Sequence, residues 1–430
     1  MSLFLAAHVL AQTLTVRDAA AEALRANPQI AAATSQVTVA RARRDESRAA
    51  WWPVVDASAN TTRSDNPVFV FGSLLEQGRF TPKDFDPGFL NDPGTLRNDR
   101  VSVNVRYTLF DQLRRIDATK QADRNITRAE RAADETRQQL LAEVIARYYG
   151  LVVAEQRRRV AADAVHAAEA ATQATRDKAE QGLVVDSDRL AAEVQLARFR
   201  QQEIATAGDV EVARAALAMT LHRPLMERID VGAAIPEKSF AAIDLANATN
   251  DALNARGDVA SAEASRIAAE LQLRTTRGSR LPRLDAFASW GASRGNPDHT
   301  VGVVASIDLF NGANSARIAE AKAGLDGARA MEAMTRDRVV METIAAWNRE
   351  NAARQQIDVA TTAVRQAEAA ARIVEDRYEN GLTTITELLR AQSAVVEARF
   401  ALVAARHQHI TGYAELLRST GGLRDIEPFL

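Results

Sequence analysis

Two stretches, 177-DKAEQGLVVDSDRLAAE-193 and 376-DRYENGLTTITELLRAQ-392, decide the fold. Each lies between long, alanine-rich, charge-laced runs that contain no proline. In each, Gly-Leu stands at the join (Gly182 and Leu183; Gly381 and Leu382). A hydroxyl and an acid follow five and six residues past the glycine, as Ser187–Asp188 and Thr386–Glu387. Glycine takes the left-handed conformation that closes a helix. A hydroxyl followed by an acid suits the start of the next helix, so Ser187 and Thr386 are expected at or near its N-cap. The same corner twice predicts two long helical hairpins in one chain.

The corners belong to a larger duplication. Shifted by 199, Gly182 falls on Gly381, Asp188 on Glu387 and Leu190 on Leu389. Shifted by 200, VSVNVRYTLFD from Val101 falls on VGVVASIDLFN from Val301. Shifted by 229, LRANPQIA from Leu24 falls on LNARGDVA from Leu253, and PVVDASA from Pro53 on PRLDAFA from Pro282. The shift drops because the first copy carries an insertion between its two alternating segments. A period near 200 residues is a domain duplication, not a solenoid repeat. The expected division is a first repeat over 12–221, a linker over 222–252, a second repeat over 253–420 and a tail over 421–430. Each repeat reads as a helical stretch (16–48; 245–276), two alternating segments, a very long helix (112–180; 313–380), the corner, and a returning helix (187–221; 386–419). About 69 helical residues reach roughly 100 Å, far beyond a globular core, and point to coiled-coil-like packing with alanine at the seams.

Composition narrows the function. The 54 basic and 56 acidic residues give a formal net charge of −2, which argues against nucleic acid as a partner. With no cysteine in the sequence, disulfides, thiolate metal sites and acylation of an N-terminal cysteine are not expected. No apolar run approaches the roughly 20 residues of a transmembrane helix. Residues 1–11 resemble the back half of a secretory signal peptide, without its basic start.

The alternating segments, at 53–61, 101–109, 283–290 and 301–309, are expected to be strands. In the second, Val101, Val103, Val105 and Tyr107 alternate with Ser102, Asn104, Arg106 and Thr108. In the fourth, Val301, Val303 and Ile307 alternate with Ser306 and Asp308. Phe287 breaks the pattern of the third. Their length of roughly nine residues and the aromatics near their ends fit membrane-spanning barrel strands, whose polar residues face the lumen. A small soluble sheet would show the same alternation. Four strands cannot close a membrane barrel, and open edges are not tolerated in lipid, so several chains would have to share one. Residues 62–99 read as an irregular loop, and Phe69, Phe71, Phe80, Phe85 and Phe89 imply that it packs. Its counterpart, 291–300, reads as a short loop.

Taken together, the NPQIAAA and RGDVASA openings, the LPRLDAFAS segment, the YTLFD and IDLFN joins and the two corners resemble the TolC-type outer-membrane efflux proteins of Gram-negative bacteria. The likeness runs from about residue 14 to residue 423. It implies a homotrimer in outer-membrane lipid. Twelve strands, four per chain, form a transmembrane β-barrel continuous with a periplasmic α-barrel. A periplasmic adaptor (membrane fusion protein) and an inner-membrane pump are the implied partners, and no cofactor is implied. The corners become the hairpin tips where the adaptor docks, with Gly182, Leu183, Gly381 and Leu382 at their ends. The family's closing links fall on Asp188 and Tyr378, and its outer acidic ring on Glu387. Two departures are Thr383, where the family has a basic residue, and Arg390, where it has a second acid. Arg390 is expected to pair with Glu387 or Asp186, or to stand as a positive ring. Ser102, Asn104, Arg106, Ser306 and Asp308 would line the barrel lumen.

No catalytic or metal constellation competes with this reading. His407 and His409 are two apart and do not share a helix face. There is no GxSxG, HExxH or phosphate-cradling loop. The alternatives are a periplasmic adaptor, which would need lipoyl-like β segments around a single hairpin, and a non-conducting coiled coil, which would not need the strands.

Overall fold

The computed structural model describes residues 13–232, 235 and 240–430. The expected signal-peptide remnant, and part of the 222–252 linker, lie outside the described residues. The chain forms two compact units. One is built from the chain up to Val37, Arg128–Ala262 and Glu332–Leu430, the other from Thr38–Thr127 and Glu263–Met331.

In chain order the elements are α1 (Val16–Ala26), α2 (Pro28–Ala49), β1 (Val54–Ser64), α3 (Pro67–Glu76), α4 (Pro87–Asn91), β2 (Leu96–Phe110), α5 (Arg114–Glu180) and α6 (Asp186–Thr220). The second half gives α7 (Leu245–Ala255), α8 (Gly257–Gly278), β3 (Arg283–Ser293), β4 (Asn296–Ser306), α9 (Ala313–Glu379) and α10 (Ile385–Ser419). Both long helices have 67 residues and both returning helices 35.

The helical stretch expected at the start of each repeat is broken in two. In the first copy the break is Asn27, extended because Pro28 follows it. Its Nδ2 donates to the Thr220 carbonyl at 3.0 Å and its Oδ1 caps Gln29. In the second copy the break is Arg256, at the equivalent position. It is 4% exposed and held by Asp258 and Glu342, each at 2.7 Å. Gly257 follows because the chain passes too close to α5 for a side chain, a Cβ there lying 2.4 Å from the Arg131 carbonyl oxygen.

The core of the first unit gathers Ala19 and Ala23 of α1, Leu140, Leu141, Ile145 and Leu151 of α5, Leu217 of α6 and Ile410 of α10. Two adjacent tyrosines fasten the chain's outer segments to it. Tyr148 donates to the Leu14 carbonyl at 2.9 Å, and Tyr149 to that of Phe429 at 2.7 Å. Burial pushes the Tyr149 hydroxyl up to about 12. Phe240 stacks on Tyr413 at 4.2 Å, with Phe429 beside both.

In the second unit the strands form one antiparallel sheet in the order β1-β2-β3-β4. Three expectations change here. The 291–300 loop is nearly all strand, with β3 and β4 joined by Arg294 and Gly295 alone. Both have positive φ (48° and 89°), as the tightest hairpin turn requires. Second, β4 stops at Ser306, so Asp308 lies beyond it. Ser306 pairs with Arg283, the first residue of β3, and the preceding Pro282 has no N–H to extend the ladder. Third, the 62–99 segment is not irregular. It holds α3, a 3-10 turn at Pro82–Phe85, and α4. Asn66 caps α3 and Asp86 caps α4, each just before a proline at the first helical position. The segment packs on itself, with Phe80 edge-to-face against Phe71 (5.0 Å) and Phe85 (4.9 Å). Among the described residues no helix is long and apolar enough to cross a membrane.

Gly257→Ala forces α5 and α8 apart and should destabilise the protein by about 1–3 kcal/mol. Thermal unfolding beside a surface control such as Gly208→Ala, where a Cβ meets nothing within 4 Å, would check this.

Candidate functional site

The sheet has two chemically distinct faces. Paired residues on neighbouring strands point to the same side, so the register sorts them. One side carries Val55, Val101, Val103, Val105, Ala288 and Trp290, with Val301 and Val303. Val301 is 71% exposed and Val303 62%, although apolar. The other side carries a continuous net of polar side chains. Ser58 and Ser102 share a hydrogen bond at 3.0 Å. Asn104 donates to Asp56 at 3.0 Å and accepts from Ser289 at 2.9 Å. Arg106 also reaches Asp56, at 3.0 Å, and Thr108 donates to Asp285 at 2.7 Å. Ser306 shares this side through its pairing with Arg283. Asp308, off the strand, accepts from Asn311 at 3.1 Å. The out-of-pattern Phe287 also lies on the polar side, flat against Gly302, where a Cβ would come within 2.5 Å of its ring. The aromatic covers backbone that the glycine leaves bare.

The first unit holds the two corners. Each long helix ends in the same pair of bonds. Leu183 N–H donates to Lys178 (2.9 Å) and Gly182 N–H to Ala179 (2.9 Å). Leu382 N–H donates to Arg377 (2.8 Å) and Gly381 N–H to Tyr378 (3.1 Å). Gly182 and Gly381 sit at φ +71° and +70°. This is the Schellman closure, and it requires the left-handed glycine. Leu183 and Leu382 project beyond it, each 68% exposed.

The returning helices start earlier than expected. Their N-caps are Val185 and Thr384, two residues before Ser187 and Thr386. Thr384 caps through its hydroxyl to Glu387 N–H, and the α6 start relies on Asp186 and Asp188 in its first turn. Ser187 and Thr386 instead line a groove of about 660 Å³ between α6 and α10. It is built from Ser187, Leu190, Ala191, Val194, Gln195 and Arg198 on one wall. The repeat-equivalent Thr386, Leu389, Arg390, Ser393, Ala394 and Glu397 form the other, and Gln195 donates to Ser393 across it at 3.0 Å. Above it, both hairpins are strapped at equivalent positions, by Arg200–Glu169 (2.8 Å) and Arg399–Glu368 (2.7 Å).

The structure separates the expected closing residues. Tyr378 is buried beside Ile385 and Leu388. Its hydroxyl lies 3.2 Å from Thr175 Oγ1, and Lys178 Nζ stands 4.5 Å above its ring. It thus joins α5 to α9. Asp188 is half-buried and its carboxylate has no hydrogen bond or ion pair among the described residues. Arg390 pairs with Glu387 at 3.1 Å and not with Asp186. Asp186 pairs with Arg189 at 2.7 Å, and that hydrogen bond holds its carboxyl below the usual range. The sequence reading missed this cluster. Glu193 takes Arg189 at 2.8 Å and Arg176 at 3.0 Å, and both hold it ionised. Acid–arginine spacings of three and four along 186–193 were the available signal.

The outer membrane efflux protein profile matches residues 19–221 and 248–422, both repeats and both corners. The chain belongs to that family. Family and fold are those of channel proteins. Protein CyaE of Bordetella pertussis is 27% identical over 342 residues, covering 76% of this chain and 72% of that protein. Among solved structures, CusC superimposes with a TM-score of 0.83 at 16% identity, over 95% of this chain and 92% of that one. The outer membrane protein VceC of Vibrio cholerae gives 0.81 at 18% identity, over 95% and 96%. The open state of the MtrE outer membrane channel of Neisseria gonorrhoeae gives 0.78 at 19% identity, over 95% and 89%.

Both histidines of α10 are held below their ordinary 6.5, chiefly by burial; for His409, Glu350 opposes the shift and Arg354 adds to it. A histidine buried neutral binds fewer protons than the unfolded chain. Its contribution is complete above 6.5 and lost as the pH falls below it. The thermal midpoint should therefore drop on acidification, and less so in a His407→Gln/His409→Gln variant. Equal slopes in the two proteins would place the acid sensitivity elsewhere.

Proposed function

We propose that this protein is the outer-membrane exit duct of a tripartite efflux or type I secretion system. It would conduct cargo passively from a periplasmic adaptor and inner-membrane pump to the exterior of a Gram-negative cell. One observation carries this beyond the family assignment. The sheet is polar on one side and apolar and exposed on the other, and β1 and β4 each leave one edge unpaired. An open edge cannot stand in hydrocarbon, so β4 of one chain must pair with β1 of the next. Three chains make twelve strands, with the apolar side toward lipid and the polar net toward the lumen. The exposed valines are then lipid contacts.

Cross-linking or native mass spectrometry in detergent should give three chains, and a stable monomer independent of detergent would contradict the shared barrel. The absence of native cysteine permits a second check. Cysteine at Ser102, Asn104 or Ser306 should react with a membrane-impermeant thiol reagent, and cysteine at Val103 or Val303 should not.

The hairpin ends are the proposed closable entrance and adaptor-docking surface. Tyr378, fixed to Thr175, holds one chain's hairpins together, and the unpaired Asp188 carboxylate is available to a neighbouring chain. Glu387 and Arg390 form a neutral pair on each chain. Single exposed pairs contribute about 0–1 kcal/mol, and three copies multiply the effect on closure. Asp188→Asn with Tyr378→Phe should raise single-channel conductance in planar bilayers. Arg390→Asp should shift the pore toward cations. Intact trimers with unchanged conductance and selectivity would place the gate elsewhere.

A further inference from the structure

Arg100 lies on the polar side of β2, opposite Ser293, but its guanidinium does not stop at its neighbouring strand. It crosses β3 to a two-bonded pair with Asp298 on β4, Nη1 to Oδ2 at 2.6 Å and Nη2 to Oδ1 at 2.8 Å. The residue beneath it is Gly291, register partner of both Ser102 and Asp298. A Cβ on Gly291 would stand 2.7 Å from Nη2 and 3.1 Å from Cζ, so any other residue would lift the guanidinium off the sheet. Nη1 also donates to Ser293 Oγ at 3.3 Å, and that hydroxyl donates to Glu76 at 3.3 Å. Arg100 therefore faces Asp298 directly and Glu76 through one hydroxyl. The other charged side chains of the strands' polar side are also matched, Arg106 with Asp56 and Arg283 with Asp285.

We propose that Arg100 is a selectivity-determining residue of the exit section. Laid flat over Gly291, it cancels Asp298 and offsets Glu76, so this stretch of wall sorts cargo only weakly by charge. The inference rests on the reading of the polar side as the lumen. Pairs this close present little field to a solute passing at a Debye length, whereas an uncompensated carboxylate would attract cations and repel anions. Without Arg100, Asp298 would face the lumen unmatched on every chain, and Glu76 would keep only its neutral partners Asn98 and Ser293. Conductive cargo of either sign would then no longer be treated alike.

A reporter next to the pair tests this without depending on conduction. Ser102→Cys stands on the same side, one polar position along β2 from Arg100, in a chain with no other thiol. The reporter is modified with a cationic and an anionic methanethiosulfonate, and the ratio of the two rates reads the local potential. Adding Arg100→Gln should raise the cationic-to-anionic ratio roughly fivefold at low salt, from the loss of one charge at neighbouring-residue distance. The gain should shrink as salt is raised. Arg100→Lys, which keeps the charge but not the two-bonded geometry, should restore the ratio to within twofold of the parent. An unchanged ratio in Arg100→Gln overturns the proposal. A rise equal in Arg100→Lys and Arg100→Gln overturns it too, because it would mark a packing effect. In bilayers, Arg100→Gln should move the reversal potential toward that of a cation-selective pore. A parent protein that forms no pores would defeat the channel reading, while the reagent ratio would still decide the role of Arg100.

Discussion

A left-handed glycine at the end of each long helix is the constraint on which the rest depends. After 67 helical residues the chain can return antiparallel only if the last carbonyls are satisfied within a very tight turn. The bonds from Leu183 to Lys178 and from Leu382 to Arg377 do this, and they need positive φ at Gly182 and Gly381. Once the corners are set, the pairings across each hairpin follow by helical count. Glu169 meets Arg200 and Glu368 meets Arg399 at the same separation in each hairpin. Equal corner geometry also brings the same six positions of α6 and α10 to face one another.

Geometry is thus repeated while chemistry is not. Ala191 faces the groove where its counterpart is Arg390, and Arg198 where its counterpart is Glu397. Thr384 caps its helix with a side chain, and Val185 at the matching position does not. The two hairpins share backbone solutions, which duplication preserves because they rest on glycine and hydrogen bonds. Their exposed faces have drifted apart, since surface substitutions cost little stability.

Much of this was legible in the sequence because it rests on period and on special residues. The corners, the strand parity and the helix lengths follow from glycine, alternation and absent proline. The helix breaks at Asn27 and Arg256 were harder. Pro28 announces the first, but Arg256 is held by Asp258 together with Glu342, which lies far along the chain. The caps of α3 and α4 were written as Asn-Pro and Asp-Pro in a segment whose glycines and prolines suggested irregularity. The true N-cap of α10 was hidden among Thr383, Thr384 and Thr386, and only the end of the preceding closure selects between them. The early stop of β4 depends on a proline in its partner. The Arg100–Asp298 bridge spans an intervening strand, and no pattern along one strand encodes a contact across two. The free Asp188 and the fixed Tyr378 likewise depend on what their neighbours do.

The fastening of Phe429 sets an order of events in the life of the chain. Its carbonyl holds Tyr149, a partner 280 residues earlier, and its ring packs tilted against the stacked Phe240 and Tyr413. The core around Leu140 to Val152 is therefore unfinished until residue 429 has been synthesised and has travelled back to it. Local helices can form as the chain emerges, but closure of this core waits for its most distant contact. Until then the Tyr149 hydroxyl lacks its acceptor and the aromatic cluster lacks its third ring, so the last contact in the chain order is also the one that makes this core rigid.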